Sequence, residues 1–172
     1  MMNRFVLLKI MVLSSLIIGV FNLAACGGGS SATHSNTPVT VKLASKDTNG
    51  VPSNNLIGLS VTLQLSPGVT IATDAGGSVM ASELIPSGKT ANNAAAIPPE
   101  MVVYKAATPG SGGSISFVLV STDPSGFSTG EFASLTVIMP SGMVPSSALS
   151  VSEFKPIDTR AKAVQGLSLL IQ

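Results

Sequence analysis

The stretch Leu56-Ile57-Gly58-Leu59-Ser60-Val61-Thr62-Leu63-Gln64-Leu65 decides the fold class. Ile57, Leu59, Val61, Leu63 and Leu65 share one parity, and Gly58, Ser60, Thr62 and Gln64 share the other. Side chains alternate across a strand, so this pattern predicts a strand with one fully apolar face. Slipping its register by one residue would turn that whole face to water, which marks it as a central core strand.

The same period of two recurs on both sides of it. Upstream, Val39, Val41 and Leu43 alternate with Thr40 and Lys42, and a turn-rich loop is expected from Ser45 to Asn55. Downstream, strands are expected at Val69 to Thr73, Ser78 to Ile85, Glu100 to Ala107, Ser114 to Thr122, Glu131 to Met139, Ala148 to Phe154 and Lys162 to Ile171. The last of these places Leu167, Leu169 and Ile171 together. Ala94-Ala95-Ala96 is expected to form no more than a helical turn, because Asn92-Asn93 and Pro98-Pro99 bracket it. The tripeptide Pro-Ser-Gly occurs at Pro86 to Gly88, Pro124 to Gly126 and Pro140 to Gly142. Proline presets one turn dihedral and glycine accepts the left-handed one, so these are turns, and their uneven spacing excludes a repeat architecture. About nine short strands with Gly/Pro turns and no amphipathic helix predict an all-β chain, a nine-stranded antiparallel β-sandwich over residues 38–172.

Before the domain the chain changes character twice. Residues 1–25 carry Arg4 and Lys9 near their start, continue as an apolar run from Ile10 to Phe21, and end in Leu23-Ala24-Ala25, directly before Cys26. A charged start, an apolar centre and small residues at the end are the parts of an export signal. Lys9 and the small residues beside the cysteine argue against reading Phe5 to Ala25 as a membrane span, although its length would suffice. Residues 26–37 then read CGGGSSATHSNT, a Gly/Ser-rich flexible tether. The sole histidine, His34, lies in this tether, which cannot hold metal or catalytic partners at fixed distances.

Leu23-Ala24-Ala25-Cys26 resembles the lipobox of bacterial lipoproteins. The resemblance implies cleavage between Ala25 and Cys26 and a covalent diacylglycerol, with a further N-acyl group, on Cys26. It implies a lipid-anchored cell-envelope protein. Gly27 directly after the cysteine resembles the pattern of lipoproteins sorted to the outer membrane in hosts with two membranes. Cys26 is the chain's single cysteine, so no intrachain disulfide is available, and lipidation accounts for its sulfur. Once the leader leaves with Arg4 and Lys9, seven basic residues face eight acidic ones. That balance offers no electrostatic basis for binding nucleic acid.

From Leu56 to Val69, at Gly113-Ser114-Ile115-Ser116-Phe117, at Thr129 to Val137, and at Val151 to Asp158 with Gly166-Leu167-Ser168-Leu169, the chain resembles cohesin domains of the carbohydrate-binding-domain-like superfamily. That resemblance implies a jelly roll, which binds a partner module on one sheet face. By strand count the face would comprise Val69 to Thr73, Glu100 to Ala107, Ser114 to Thr122 and Ala148 to Phe154. The implied activity is non-catalytic protein binding or scaffolding. A carbohydrate-binding surface module is the alternative.

Several local patterns offer chemistry and lack the context for it. Gly126-Phe127-Ser128-Thr129-Gly130 spells the nucleophile elbow, yet a strand rather than a helix is expected after Ser128. Ser152 and Lys155 have the S-x-x-K spacing, but residues three apart on a strand face opposite ways. Asp47-Thr48-Asn49-Gly50 opens like a calcium loop without its closing glutamate. Asp123 and Glu131 flank a hairpin and read as solvated charges rather than a glycosidase pair. No metal site and no enzyme activity are expected. Sugar-binding faces display aromatic planes, and this chain has no tryptophan and one tyrosine, Tyr104. Tyr104 is therefore the ligand-binding candidate, with core packing as the expected alternative, while Phe127 and Phe132 are expected to cover the end of the sandwich.

Overall fold

Strand β2 (Leu56–Leu65) forms where its alternation places it and lies inside a sheet, antiparallel to β6 (Ser114–Ser121) on one side and to β8 (Leu149–Asp158) on the other. The computed structural model describes residues 35–48, 55–92 and 95–172. Two further short strands, β4 (Ala95–Ala96) and β5 (Val103–Lys105), pair with the two ends of β6 and complete a five-stranded sheet. The second sheet has four strands in the order β3 (Leu84–Pro86), β7 (Gly130–Met139), β1 (Thr37–Asp47) and β9 (Leu167–Ile171). Every pairing is antiparallel, so the described residues form an all-β sandwich of nine strands.

The apolar parities of both sheets meet in one core. Leu59, Val61 and Leu63 of β2, Ile115, Phe117 and Leu119 of β6, Val41 and Leu43 of β1, and Leu135 and Val137 of β7 are all essentially inaccessible to water. Each such side chain contributes roughly 1.5–3 kcal/mol by leaving water, which suffices for a domain of this length without a disulfide.

Two bulges alter which residues enter that core. On β2 the pairing with β8 jumps from Leu56 to Gly58, so Ile57 is the extra residue; it is half-buried, and Leu56 is fully buried in its place. The expected inward set is corrected accordingly, because a bulge reverses parity beyond it. On β7 the pairing with β1 jumps from Ala133 to Glu131, leaving Phe132 unpaired. Its side chain turns inward despite sharing parity with Ser134 and Thr136, and stacks on Phe154 across the sandwich at a centroid distance of 6.3 Å. The bulged carbonyl is not wasted: Ser87 N–H donates to it at 3.0 Å, and so does Thr90 Oγ1 from the tight turn Gly88–Thr90.

Element boundaries shift where pairing partners run out. β1 continues to Asp47 instead of ending before Ser45, because β9 pairs with Leu43 to Asp47. Val69 and Ile71 are buried as an inward parity requires, yet Val69 to Thr73 meets β7 only at Thr70 opposite Ile138, since β3 takes the next part of that edge. Of Ser78 to Ile85 only the end becomes β3; the earlier part folds back on Ala72 through the Met80 amide. Ala95 and Ala96 form β4 rather than a helical turn, because pairing with Ser121 and Val120 outweighs the weak preference of so short an alanine run. Pro99–Met101 is a 3-10 turn that shortens the expected strand there to β5. β8 starts at Leu149, after the helical turn Pro145–Ala148, and passes through Pro156 to Asp158. A proline is tolerated there because β8 is an edge strand, and its carbonyl accepts the Val164 amide. β9 is shorter than Lys162 to Ile171 because Asp158 Oδ1 takes the Arg160 and Lys162 amides and turns that segment. The glycines of all three Pro-Ser-Gly turns have positive φ, 58° at Gly88, 70° at Gly126 and 84° at Gly142.

Candidate functional site

The outward parity of the five-stranded sheet forms a grid whose rows follow from the register. One row runs Ala96, Val120, Gly58, Ile157; the next has Val118, Ser60 and Lys155; the next Val103, Ser116, Thr62 and Glu153; the last Lys105, Ser114, Gln64 and Ser150. On the two central strands this face presents only Gly, Ser, Thr, Val and Gln. Thr62 and Ser116 hydroxyls are linked at 3.0 Å, and Val103, Val120 and Ile157 are exposed. Charge on the β8 side is self-compensating: Lys155 Nζ pairs with Glu153, whose carboxyl is held below its ordinary range chiefly by that hydrogen bond.

This face corrects the one expected from strand count. β5, β6 and β8 do share a sheet, but β2 lies between β6 and β8, and Val69 to Thr73 lies against β7 of the other sheet. The opposite face is mixed, with Thr40 and Thr136 hydroxyls linked at 3.2 Å beside exposed Ile85 and Leu170, and it carries an ion pair between Lys42 and Glu131 at 3.0 Å. The Lys42 hydrogen bond lowers the Glu131 carboxyl from its ordinary range. The buried Ser87 hydroxyl makes no hydrogen bond among the described residues.

Cys26, Ala25 and His34 lie outside the described residues, as do Asn49 and Gly50 of the calcium-like stretch. Asp47 ends β1 opposite Leu167, and the described residues contain no group of three side chains suited to a metal ion. Tyr104 faces inward opposite Ile115 and packs against the core, and its phenol oxygen accepts the Ile71 amide at 3.3 Å. Phe127 and Phe132 are buried. Phe127 closes the end of the sandwich by pairing its amide and carbonyl with Leu56 at 2.8 and 2.9 Å. Ser128 is half-buried and leads into β7, and Ser152 and Lys155 are both exposed on β8. Asp123 Oδ1 accepts the Ser125 amide at 2.8 Å, a turn-stabilising bond, and Glu131 is engaged by Lys42.

Sequence reading missed the row that joins Ala96 to Ile157, because its members come from four strands and only register aligns them. The usable signal was the second parity of β2 and β6 past Leu56, mostly Gly, Ser, Thr and Val, while the first is apolar from Ile57 to Leu65 and from Ile115 to Leu119. Fold and face together define a β-sandwich with a small-residue sheet surface. No protein-family model, curated protein or solved structure matches the chain.

Proposed function

We propose that the chain is a lipid-anchored cell-envelope protein whose β-sandwich is a non-catalytic protein-binding or scaffolding module, using the outer face of the five-stranded sheet. The observation that carries this reading is the grid of small side chains on β2 and β6 beside exposed Val103, Val120 and Ile157. Immobilising a long flexible side chain costs about 0.5–1.5 kcal/mol on association. A surface whose two central strands present Gly, Ser, Thr and Val, with Gln64 the one long side chain, avoids most of that cost and lets a partner approach the sheet closely. The Cys26 lipobox supports attachment, and acyl chains add about 0.8 kcal/mol per buried methylene. An outer-membrane location in a two-membrane host is supported by Gly27. The glycan alternative is not adopted, since the Tyr104 hydroxyl is engaged inside the domain.

Cross-linking in intact envelopes tests the binding reading. A single partner should be captured by the native chain, lost with Ser116→Arg, and retained with Thr136→Arg on the opposite sheet. Capture that is indifferent to Ser116→Arg, or repeated recovery of no partner, refutes it. For the anchor, Cys26→Ser should shift the protein from the membrane to the soluble fraction.

A further inference from the structure

Between the edge of β3 and the edge formed by β4 lies an apolar groove of about 560 Å³, lined by Val79, Met80, Leu84, Ile85, Ile97 and Val102 among others. Met80 and Ile85 stand at its mouth, 44% and 46% exposed. The β3 edge beside it has unused pairing capacity. Thr136 N–H donates to Glu83 O and Ser87 N–H to Phe132 O, so in the alternating antiparallel pattern Ile85 bonds to β7. The amide and carbonyl of Leu84 and the carbonyl of Pro86 therefore point away from β7. The edge of β8 differs: it carries a bulge at Ser152, the Glu153–Lys155 pair and Pro156, all devices that discourage strand addition. Among the described residues one ionisable side chain lines the groove, Glu100, and no cation does.

We infer that this groove receives an extended segment of a partner protein, which adds a short strand to β3, seats alternate aliphatic side chains in the groove and sets a lysine or arginine beside Glu100. Main-chain bonds to Leu84 would supply affinity, and the groove and carboxylate would supply selectivity. Met80 suits the role, because an unbranched thioether adapts to differing aliphatic partners. The inference rests on the protein-binding reading and names a second contact for it, on a different surface from the sheet face.

The test is nuclear magnetic resonance on the isotope-labelled full chain in detergent micelles, titrated with two capped peptides, Lys-Val-Thr-Val-Thr-Val-Lys and its Glu-flanked counterpart. The Lys peptide should slow exchange of the Leu84 amide at least tenfold and bind about two- to fivefold tighter than the Glu peptide, the range of an exposed ion pair. Glu100→Lys should reverse that order. Met80→Lys, at an exposed position, should weaken both peptides more than tenfold while leaving the amide spectrum of β2 unchanged. An unaltered Leu84 amide at saturating peptide, or no charge preference in either protein, overturns the inference. Shifts confined to Ser60, Thr62 and Ser116 also overturn it while upholding the sheet-face reading. Absence of any peptide binding overturns the groove alone, because the envelope cross-link reports on the sheet face independently.

Discussion

Three glycines share one tripeptide and differ in what surrounds them. At Gly142 a side chain would meet nothing within 4 Å, whereas at Gly126 it would run into the Leu56 carbonyl, whose carbon lies 2.9 Å from the added atom. Both have positive φ, so alanine costs about 1–2 kcal/mol at each from backbone conformation alone. Gly142→Ala should show that cost and no more in urea denaturation, while Gly126→Ala should exceed it, because Leu56 is hydrogen-bonded to Phe127 and cannot yield. Ala161 is the reverse case, a residue with a side chain at φ 58°. Ala161→Gly should raise stability by about 0.5–1 kcal/mol, the relief of left-handed strain less the added freedom of the unfolded chain. Lower stability in the glycine variant would refute this account of the turn.

Charge at single residues predicts an acid limb. Glu131 is lowered chiefly by Lys42, Glu153 by Lys155, and Asp158 by the Lys162 backbone amide. A carboxyl whose folded pKa is depressed adds stability above its unfolded value and loses it as pH falls through the folded one. Stability should therefore decline below about pH 4, where free carboxylates begin to protonate. The decline should be shallower in Glu131→Gln and in 1 M salt, which shortens the screening length to about 3 Å. A melting temperature independent of pH from 5 to 2 would contradict it.

Elements depart from simple alternation where a partner strand forces an extra residue. The β2 bulge predicts unequal costs for neighbours of similar size: Leu56→Ala should lose about 2–5 kcal/mol, as for a buried leucine, and Ile57→Ala distinctly less, because Ile57 is half-buried. Equal losses would mean that no parity reversal occurs. Much of this level was legible beforehand. β2, β6 and β7 are long alternating strands whose apolar parity is written in adjacent residues, and they appear almost residue for residue. The short edges β3, β4 and β5 were not, because two or three residues hold no period, and their state depends on which stretch of β6 or β7 remains unpaired.

Across the whole molecule, the first and last strands are neighbours: β1 pairs with β9, and Lys42 exchanges backbone bonds with Gln172 at 2.8 and 2.9 Å. Removing Leu167 to Gln172 strips three half-buried aliphatic side chains, Leu167, Leu169 and Ile171, from the core margin and exposes the edge of β1. The expected loss is about 3 kcal/mol from the aliphatic burial, with aggregation through the bared strand. Light scattering and denaturant titration would check both, and an unchanged midpoint would show that β9 is dispensable. Such end-to-end pairing also implies folding on the millisecond-to-second scale, because distant segments must meet before any bond rewards them.

The order of residues alone determined the all-β class, the central place of β2, the three left-handed turns and the neutral character of the domain. These depend on period, turn chemistry and charge, which neighbouring residues encode together. The tertiary structure decided where the bulges fall, which short segments become edge strands, and how Ala96, Val120, Gly58 and Ile157 align into one row of a face. It also decided that Val79 and Leu84 meet Ile97 and Val102 around a groove. Those features are relations between strands far apart in the chain, and hydrogen-bond register, a property of two strands at once, is set only when both are in place.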